Sequence, residues 1–544
     1  MVTSRISIFS GRALFISFLF LIIFLLLIAR LLFIKFYQNE FLDNESNSRF
    51  ISERPLMATR GSILDRNDKV LAFDVRSYTV GLDLSEFQSE DKVVEGLSRV
   101  LNLDKNSLKA KIDNKKGYIE LKKHISSKEQ EEVNEIVKKG IYFQENLRRS
   151  YPQKNISAHV VGMTDTDRRG LQGVELVLNE KLKGLPGKFI RGETGRIRTE
   201  AKDGETVKLT IDVRLQSIAY EELKRAVNKS GASSGSVLII DTTSADILAL
   251  TNFPSFNPSN RKNVTDVSIF RNRATIDSFE PGSVIKPLAM SAILKSGKIN
   301  SSLKVDTNPG WIEIGGYRTN DFKNYGVINP SEIISNSSNV GMIKLCTNQD
   351  SGLLMKNFSN FGLGKYPNSV LIPSREGFLP LESELKLRDK VSACYGYGLS
   401  VTALQIAQAY LVFTNEGLFK ELNLFLDEQV ESLDEEIRVL SNNTTREITK
   451  MLVQAVHSKN GTARRAKVEG VLVAGKTGTA LQEFREKNIY TATFAGFTPA
   501  FRPKILAVVV LHGLEGEDHS GGLDAAPVFS KVVTQTLNVL EMGS

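Results

Sequence analysis

The stretch GVLVAGKTGTA, Gly470 to Ala480, decides between two folds. Letter for letter it satisfies the phosphate-binding pattern G-x-x-x-x-G-K-[ST], with Gly470, Gly475, Lys476 and Thr477 in the required places. Such a loop works only where an apolar strand delivers backbone N–H groups to the start of a helix. Here the preceding residues, Ala463 to Glu469 (ARRAKVE), are too polar for a buried strand. The supposed loop, Val471-Leu472-Val473-Ala474, reads as strand, and Thr477-Gly478-Thr479 make a poor first helical turn. The stretch is therefore expected to run as a β-strand carrying Lys476, and no nucleotide is expected.

Outward from that strand, the chain has 544 residues, enough for two or more domains. Lys plus Arg number 70 against 62 Asp plus Glu, a net charge of +8 without the dense basic stripe of a nucleic-acid binder. Residues 13–36 form an apolar run, ALFISFLFLIIFLLLIA and then LLFI after Arg30, long enough to span a bilayer. Arg5 and Arg12 precede it and no acidic residue occurs before Glu40, so residues 1–12 are expected in the cytoplasm and the chain from about Tyr37 across the membrane. The run is too long for a cleaved signal peptide, and no Ala-x-Ala site follows. The five His residues show no metal-ligand spacing, so no metal site is expected. Cys346 and Cys394 sit in apolar surroundings; a disulfide is possible, but buried free thiols are the default.

Residues 37–204 read as a mixed α+β domain. Strand-like Tyr78 to Leu82 and the capping box of Ser126 and Glu129 are its clearest elements, and it offers no catalytic constellation. From residue 205 strands alternate with turns, then helices follow from Pro287, so residues 205–544 are expected to hold the chemistry.

Three short motifs in that second part make a set. In FEPGSVIKP, Phe279 to Pro287, a helix beginning near Ser283 puts Ser283 and Lys286 one turn apart, so that an amine can activate a hydroxyl. Pro287 supports a helix starting there. The spacing alone is uninformative, because Ser89/Lys92, Ser259/Lys262, Ser301/Lys304 and Ser383/Lys386 share it. Ser337-Ser338-Asn339 supplies a hydroxyl and an amide two residues apart, although Ser441-Asn442-Asn443 has the same spacing and loop capping is the commoner use of Ser and Asn. Lys476-Thr477-Gly478-Thr479 on an edge strand can pair with an extended peptide. Gly478 permits close approach, and Lys476 with the Thr477 and Thr479 hydroxyls can receive a carboxylate.

Together and in this order, S-x-x-K, S-x-N and K-T-G resemble the penicillin-binding proteins. RGSILDRN (Arg60 to Asn67), RRSYPQ (Arg148 to Gln153), AHVVG (Ala158 to Gly162), GVE (Gly173 to Glu175), GYGLSVTALQ (Gly396 to Gln405) and GGLDAAPVFSKV (Gly521 to Val532) extend the likeness over most of the chain. The pattern is similar to class B members, and the last motif to their division-type enzymes; Ala403 stands where that family usually has proline. The resemblance implies a transmembrane helix, an extended α+β pedestal of the dimerisation type, and a penicillin-binding transpeptidase domain with an antiparallel sheet flanked by helices, as in β-lactamases. It implies a serine-type D,D-transpeptidase for peptidoglycan, acting without cofactor or metal. In it Ser283 is the nucleophile and Lys286 the base, and Ser337 passes a proton to the leaving amine. Asn339 holds the donor amide, while Lys476, Thr477, Gly478, Thr479 and Tyr397 bind substrate. The backbone N–H groups of Ser283 and Thr479 form the oxyanion hole. Implied partners are D-Ala-D-Ala stem peptides as donor, an amine acceptor, β-lactams as inhibitors, a membrane-embedded glycosyltransferase and other division proteins. An elongation-type transpeptidase, a non-catalytic penicillin-binding scaffold or sensor, and a hydrolase (β-lactamase or carboxypeptidase) are the alternatives. For Lys286 to act as base, a second ammonium at Lys476, about 4 Å away, is expected to destabilise its charge by roughly 4 kcal/mol at an effective dielectric of ~20.

Overall fold

The computed structural model describes residues 4–38 and 52–541, apart from 89, 193–194, 262–263, 298, 301, 348, 368–371, 427–436 and 485–486. The chain divides into two units, Met1–Thr59 with Gly184–Asp203, and Arg60–Lys183 with Gly204–Ser544.

In the first unit, α1 (Ser4–Phe33) continues the apolar run as a helix into a π-helical turn, and its segment Gly11–Phe36 is long and apolar enough to cross a membrane. The polar stretch that follows lies outside the described residues as far as 51. The same unit contains a three-stranded antiparallel sheet of Ser52–Leu56, Gly187–Gly192 and Gly195–Thr199.

The second unit joins the body of the pedestal, residues 60–183, to everything from residue 204 onward. In the pedestal, β1 (Val70–Asp83) is followed by α2 (Asp91–Leu101), α3 (Lys105–Asp113), β2 (Tyr118–Ile125), α4 (Ser127–Ile136) and β3 (Ile141–Ser150). β1 pairs antiparallel with both β2 and β3. The capping box read at Ser126 and Glu129 starts α4, and Leu97, Leu101, Leu108, Ile119 and Val133 share one apolar core with the sheet.

A buried ion network ties three of the sequence landmarks together. Glu175 accepts from Arg60 Nε at 2.6 Å and from Arg149 Nε at 2.7 Å, while Asp74 pairs with Arg149 and Arg168. Removing one partner from such a cluster leaves uncompensated buried charge, which costs far more than a surface pair yields. Glu175→Ala is expected to lower the unfolding free energy by about 3–5 kcal/mol. Urea denaturation checks this, and a loss below about 1 kcal/mol, as for an exposed pair, would show the network to be dispensable.

From residue 204 the unit continues with α5 (Val213–Ser230), β4 (Ser234–Asp241) and β5 (Ile247–Phe253). Next come α6 (Lys286–Lys295), α7 (Pro330–Asn336), α8 (Asn339–Thr347), α9 (Ala403–Thr414) and α10 (Asn442–His457). β6 (Ala474–Phe484), β7 (Lys487–Thr498), β8 (Ile505–Glu515) and α11 (Ala526–Glu541) complete it. The five strands form one antiparallel sheet in the order β5-β4-β8-β7-β6. Both faces are covered, because alternate residues of a strand point opposite ways. Val237 and Ile239 pack with α5 and α11 in one cluster; Leu238 and Ile240 pack with α6, α9 and α10 in the other. The helix α9, capped by Thr402 and Gln405 without the usual proline, is buried over nearly its whole length.

β6 lies at the sheet edge and runs through Lys476, so the loop-then-helix surroundings that phosphate binding needs are not present. The strand starts at Ala474, three residues later than the sequence suggests. Val471 makes only a one-residue bridge to Val468, the Leu472 carbonyl accepts from Ala500 N–H and the Thr498 hydroxyl, and Val473 N–H donates to the His457 ring. The expectation of free thiols fails as well: Cys346, in α8, and Cys394, just after the helix Leu387–Ala393, form a disulfide across 48 residues. Both side chains are buried, as their apolar neighbours suggested, but the fold brings the two sulfurs together.

Candidate active site

The nucleophile candidate sits where a short 3-10 turn, Gly282–Ile285, runs into α6. Ser283 is half-buried there, Lys286 begins the α-helix one turn on, and Pro287 occupies the first turn of α6, where its missing N–H costs nothing. The turn is held from three sides. Gly282 N–H donates to the Gly396 carbonyl, the Tyr410 hydroxyl of α9 donates to the Val284 carbonyl, and β6 presses against Pro281 and Val284.

That last contact explains Gly478. A Cβ on it would stand 2.7 Å from the Pro281 carbonyl oxygen and 2.9 Å from Val284 Cγ1, closer than carbon atoms tolerate. Gly478→Ala must therefore push the Ser283 turn off the strand. Displacements of about 1 Å cost up to a hundredfold in rate, so if Ser283 is acylated by penicillin, as the motif resemblance implies, acylation of this variant is expected to slow by about that factor. Stopped-flow acylation checks it, and an unchanged rate would mean that the two segments do not need this approach.

The second motif is built around an unusual backbone. α7 ends with Ser337 in the left-handed region, φ 60° and ψ 36°, which a non-glycine residue adopts at some cost. This sharp end lets α8 start at once with Asn339. The Ser337 side chain then meets both lysines. Lys476 Nζ donates to Ser337 Oγ at 2.9 Å, and Lys286 Nζ lies 3.4 Å from the same oxygen. Lys286 also donates to Asn339 Oδ1 and to the Ser337 carbonyl, each at 2.7 Å. Asn339 Nδ2 donates to the Asn320 carbonyl at 3.1 Å.

Both lysines are 0 % exposed, an environment that penalises an ammonium. Burial pushes Lys476 down to about 7. Burial first, and the Lys476 charge second, push Lys286 well below the ordinary lysine value, against the opposing pull of Asp321. The sequence reading ascribed this depression to the second ammonium; desolvation is the larger cause. A neutral amine beside a hydroxyl, with a second amine sharing the relay oxygen, can move a proton between a nucleophile and a leaving group.

Along β6, Thr477 is buried and its hydroxyl pairs with that of Thr462 at 3.0 Å, while half-buried Thr479 accepts from Gly521 N–H at 3.1 Å. Tyr397 stands at the far end of this strand, where its hydroxyl meets the Leu481 backbone and its ring packs on Tyr395. Thus Lys286, Ser337, Asn339 and Lys476 are directly bonded together, and the Ser283 turn abuts the Gly478-Thr479 backbone. The decoys behave otherwise: Ser441 caps α10, Ser383 lies in an isolated 3-10 turn, and Ser89, Lys262 and Ser301 fall outside the described residues.

Sequence reasoning missed Thr462 and Asp321. Thr462 is fixed by a bond from its N–H to the Ser335 carbonyl, and Asp321 accepts from Ser338 Oγ and from the N–H groups of Asn339 and Val340. Neither lies in a recognisable spacing; proximity in the fold is their only signal. Among the described residues no cluster of His, Cys, Asp and Glu could hold a metal ion.

Residues 235–534 match the family model described as the penicillin-binding protein transpeptidase domain, and residues 55–209 match that of the penicillin-binding protein dimerisation domain. The chain is 32% identical to the probable peptidoglycan D,D-transpeptidase PbpC of Pseudomonas aeruginosa, covering 96% of this chain and 94% of the relative. It is 31% identical to the peptidoglycan D,D-transpeptidase FtsI of Escherichia coli, covering 94% of this chain and 90% of the relative. Among solved structures, penicillin-binding protein 3 of Mycobacterium tuberculosis in complex with aztreonam superposes with a TM-score of 0.68 at 25% identity, over 90% of this chain and 97% of that one.

Proposed function

We propose that this chain, which belongs to the penicillin-binding protein transpeptidase family, cross-links peptidoglycan stem peptides through an acyl-enzyme on Ser283. The observation that carries this reading is the meeting of Lys286 and Lys476 on the Ser337 hydroxyl, with Lys286 one helical turn after Ser283 in the chain. Neutral Lys286 takes the Ser283 proton as Oγ attacks the penultimate D-Ala carbonyl carbon of a donor peptide. The backbone N–H groups of Ser283 and Thr479 receive the oxyanion. As the C–N bond breaks, the proton returns through Ser337 to the leaving D-Ala amine, and the acyl ester remains on Ser283. An amine from a second stem peptide then attacks the ester carbonyl, gives up its proton to the same relay, and restores the Ser283 hydroxyl.

Lys476 and Thr479 receive the donor's terminal carboxylate, with Thr477 held behind them by Thr462. The β6 edge pairs with the donor backbone, while Gly478, expected from the sequence to admit that backbone, instead makes room for the Ser283 turn; Asn339 holds the donor amide, and Tyr397 borders its approach. β-Lactams mimic the terminal dipeptide and acylate the same oxygen.

The apolar helix α1 anchors the chain once in the cytoplasmic membrane, with the catalytic part on the periplasmic side, a placement that the basic residues before it and the substrate both favour. The motif GGLDAAPVFSKV favours division over elongation, and the glycan strands come from a membrane-embedded glycosyltransferase among its division partners. A donor peptide supplied with a free amine separates transfer from hydrolysis. Acyl transfer to the amine is expected to exceed release to water, and exclusive hydrolysis would make the chain a carboxypeptidase.

A further inference from the structure

Asp321 lies 16 residues before Ser337, at the end of a hairpin whose strands are Trp311–Ile314 and Tyr317–Asn320. Its own N–H donates to the Gly310 carbonyl, which fixes the residue from the side of the hairpin. Its carboxylate reaches across to the start of α8. Oδ2 accepts from Ser338 Oγ at 2.6 Å, and Oδ1 accepts from Asn339 N–H at 2.5 Å and Val340 N–H at 3.0 Å. Ser338 Oγ in turn accepts from Gly341 N–H at 2.9 Å.

The opening N–H groups of a helix have no partner within it, and a capping residue normally supplies one. Ser338, the residue just before α8, meets only one of these needs from the flank, its Oγ accepting from Gly341 N–H, and the N–H groups of Asn339 and Val340 still require a partner. Asp321 supplies that cap from elsewhere in the chain, and its charge suits the positive end of a helix. The residues it fixes are the ones that matter to the site. Asn339 carries the oxygen that Lys286 donates to, and Ser338 separates it from the relay hydroxyl. The neighbouring backbone of the hairpin adds a second hold, since the Asn320 carbonyl accepts from Asn339 Nδ2.

We propose that Asp321 is a positioning residue of the transpeptidation site, its carboxylate locking the Ser337–Asn339 turn so that the relay hydroxyl and the Asn339 amide face Lys286. This rests on the acyl-enzyme reading given above. The carboxylate also acts at a distance. The charged groups facing Lys286 are Lys476, from β6, and Asp321, from the hairpin; Ser337 and Asn339 are neutral, and Tyr325, whose phenol is pushed up to about 12 mainly by burial, is neutral too. Of the two charges, Lys476 disfavours the protonated amine and Asp321 favours it.

Two variants separate positioning from mere stability. Asp321→Ala removes all three acceptor contacts, and Asp321→Asn keeps one acceptor oxygen but loses the charge. In the full-length protein in detergent, the rate of acylation by a fluorescent penicillin is followed from pH 5 to 9 beside the thermal midpoint. Acylation is expected to fall about a hundredfold in Asp321→Ala, from loss of alignment, and about tenfold in Asp321→Asn. Loss of the negative charge makes protonated Lys286 less stable, so the rise of rate with pH in Asp321→Asn is expected at lower pH than in the parent. A parent-like rate and pH profile in Asp321→Asn, or a loss accompanied only by a lower midpoint with the profile unmoved, would overturn the proposal. The parent is labelled on Ser283 in each of these cases; absence of that label contradicts the acyl-enzyme reading instead.

Discussion

Replacing Ser283 by alanine is expected to reduce peptide cross-linking by about 10⁶-fold, the scale on which an enzyme loses turnover when its nucleophile is removed. The size of the effect follows from how the site divides its labour. Lys286, Ser337, Asn339 and Lys476 form one bonded cluster, and in the proposed reaction the protons they handle start or end on the Ser283 oxygen. Without that oxygen the cluster can still bind a donor peptide but has no bond to form. The fold should not suffer, because Ser283 is half-buried and the turn around it is held by Gly396, Tyr410 and β6 through backbone atoms. The variant should therefore melt within a few degrees of the parent while giving no cross-linked product by chromatography. Product formed at more than a thousandth of the parent rate would assign the nucleophile elsewhere.

The second large effect belongs to Lys286. Loss of a general base costs about 10²–10⁴-fold, and Lys286→Ala is expected to slow penicillin acylation within that range. Lys286→Arg should be no better, since a guanidinium cannot give up its proton near neutral pH. The pH dependence carries more information than the loss. Burial and Lys476 hold the Lys286 amine well below the ordinary lysine value, so its neutral, basic form is populated at correspondingly lower pH. The acylation rate should therefore rise with pH through a midpoint well below that of a free lysine. Lys476→Ala removes one of the two depressing causes, so the midpoint should move to higher pH, opposite to the shift expected for Asp321→Asn. A rise centred near the value of an exposed lysine would mean that Lys286 is either solvated or not the base.

How far these residues were visible beforehand follows from the range of the interactions that place them. The strand through Lys476 was legible because β-branched and small residues cannot build the helix that a phosphate loop requires, and that local chemistry survived folding. The starts of α4 and α9 were legible for a similar reason, since a capping box closes within four residues. The helix start near Ser283 was legible through Pro287 and the set of three motifs, though not through Ser-x-x-Lys spacing alone. By contrast, the disulfide, the Thr462–Thr477 pair and the Asp321 cap all join segments with no pattern between them. The cause of the Lys286 depression was misjudged on the same ground. Proximity of two motif lysines can be guessed from a family set, but complete burial of both is a property of the packed sheet and helices around them.

Convergence of three distant segments on one hydroxyl is tested most directly by locating the covalent product of benzylpenicillin. After brief exposure and tryptic digestion, the peptide Ala274–Lys295 should gain the mass of one intact penicillin, with fragmentation placing it on Ser283. An adduct on Ser383, on Ser441 or on any other hydroxyl, or no adduct on a protein that is folded, would contradict the account.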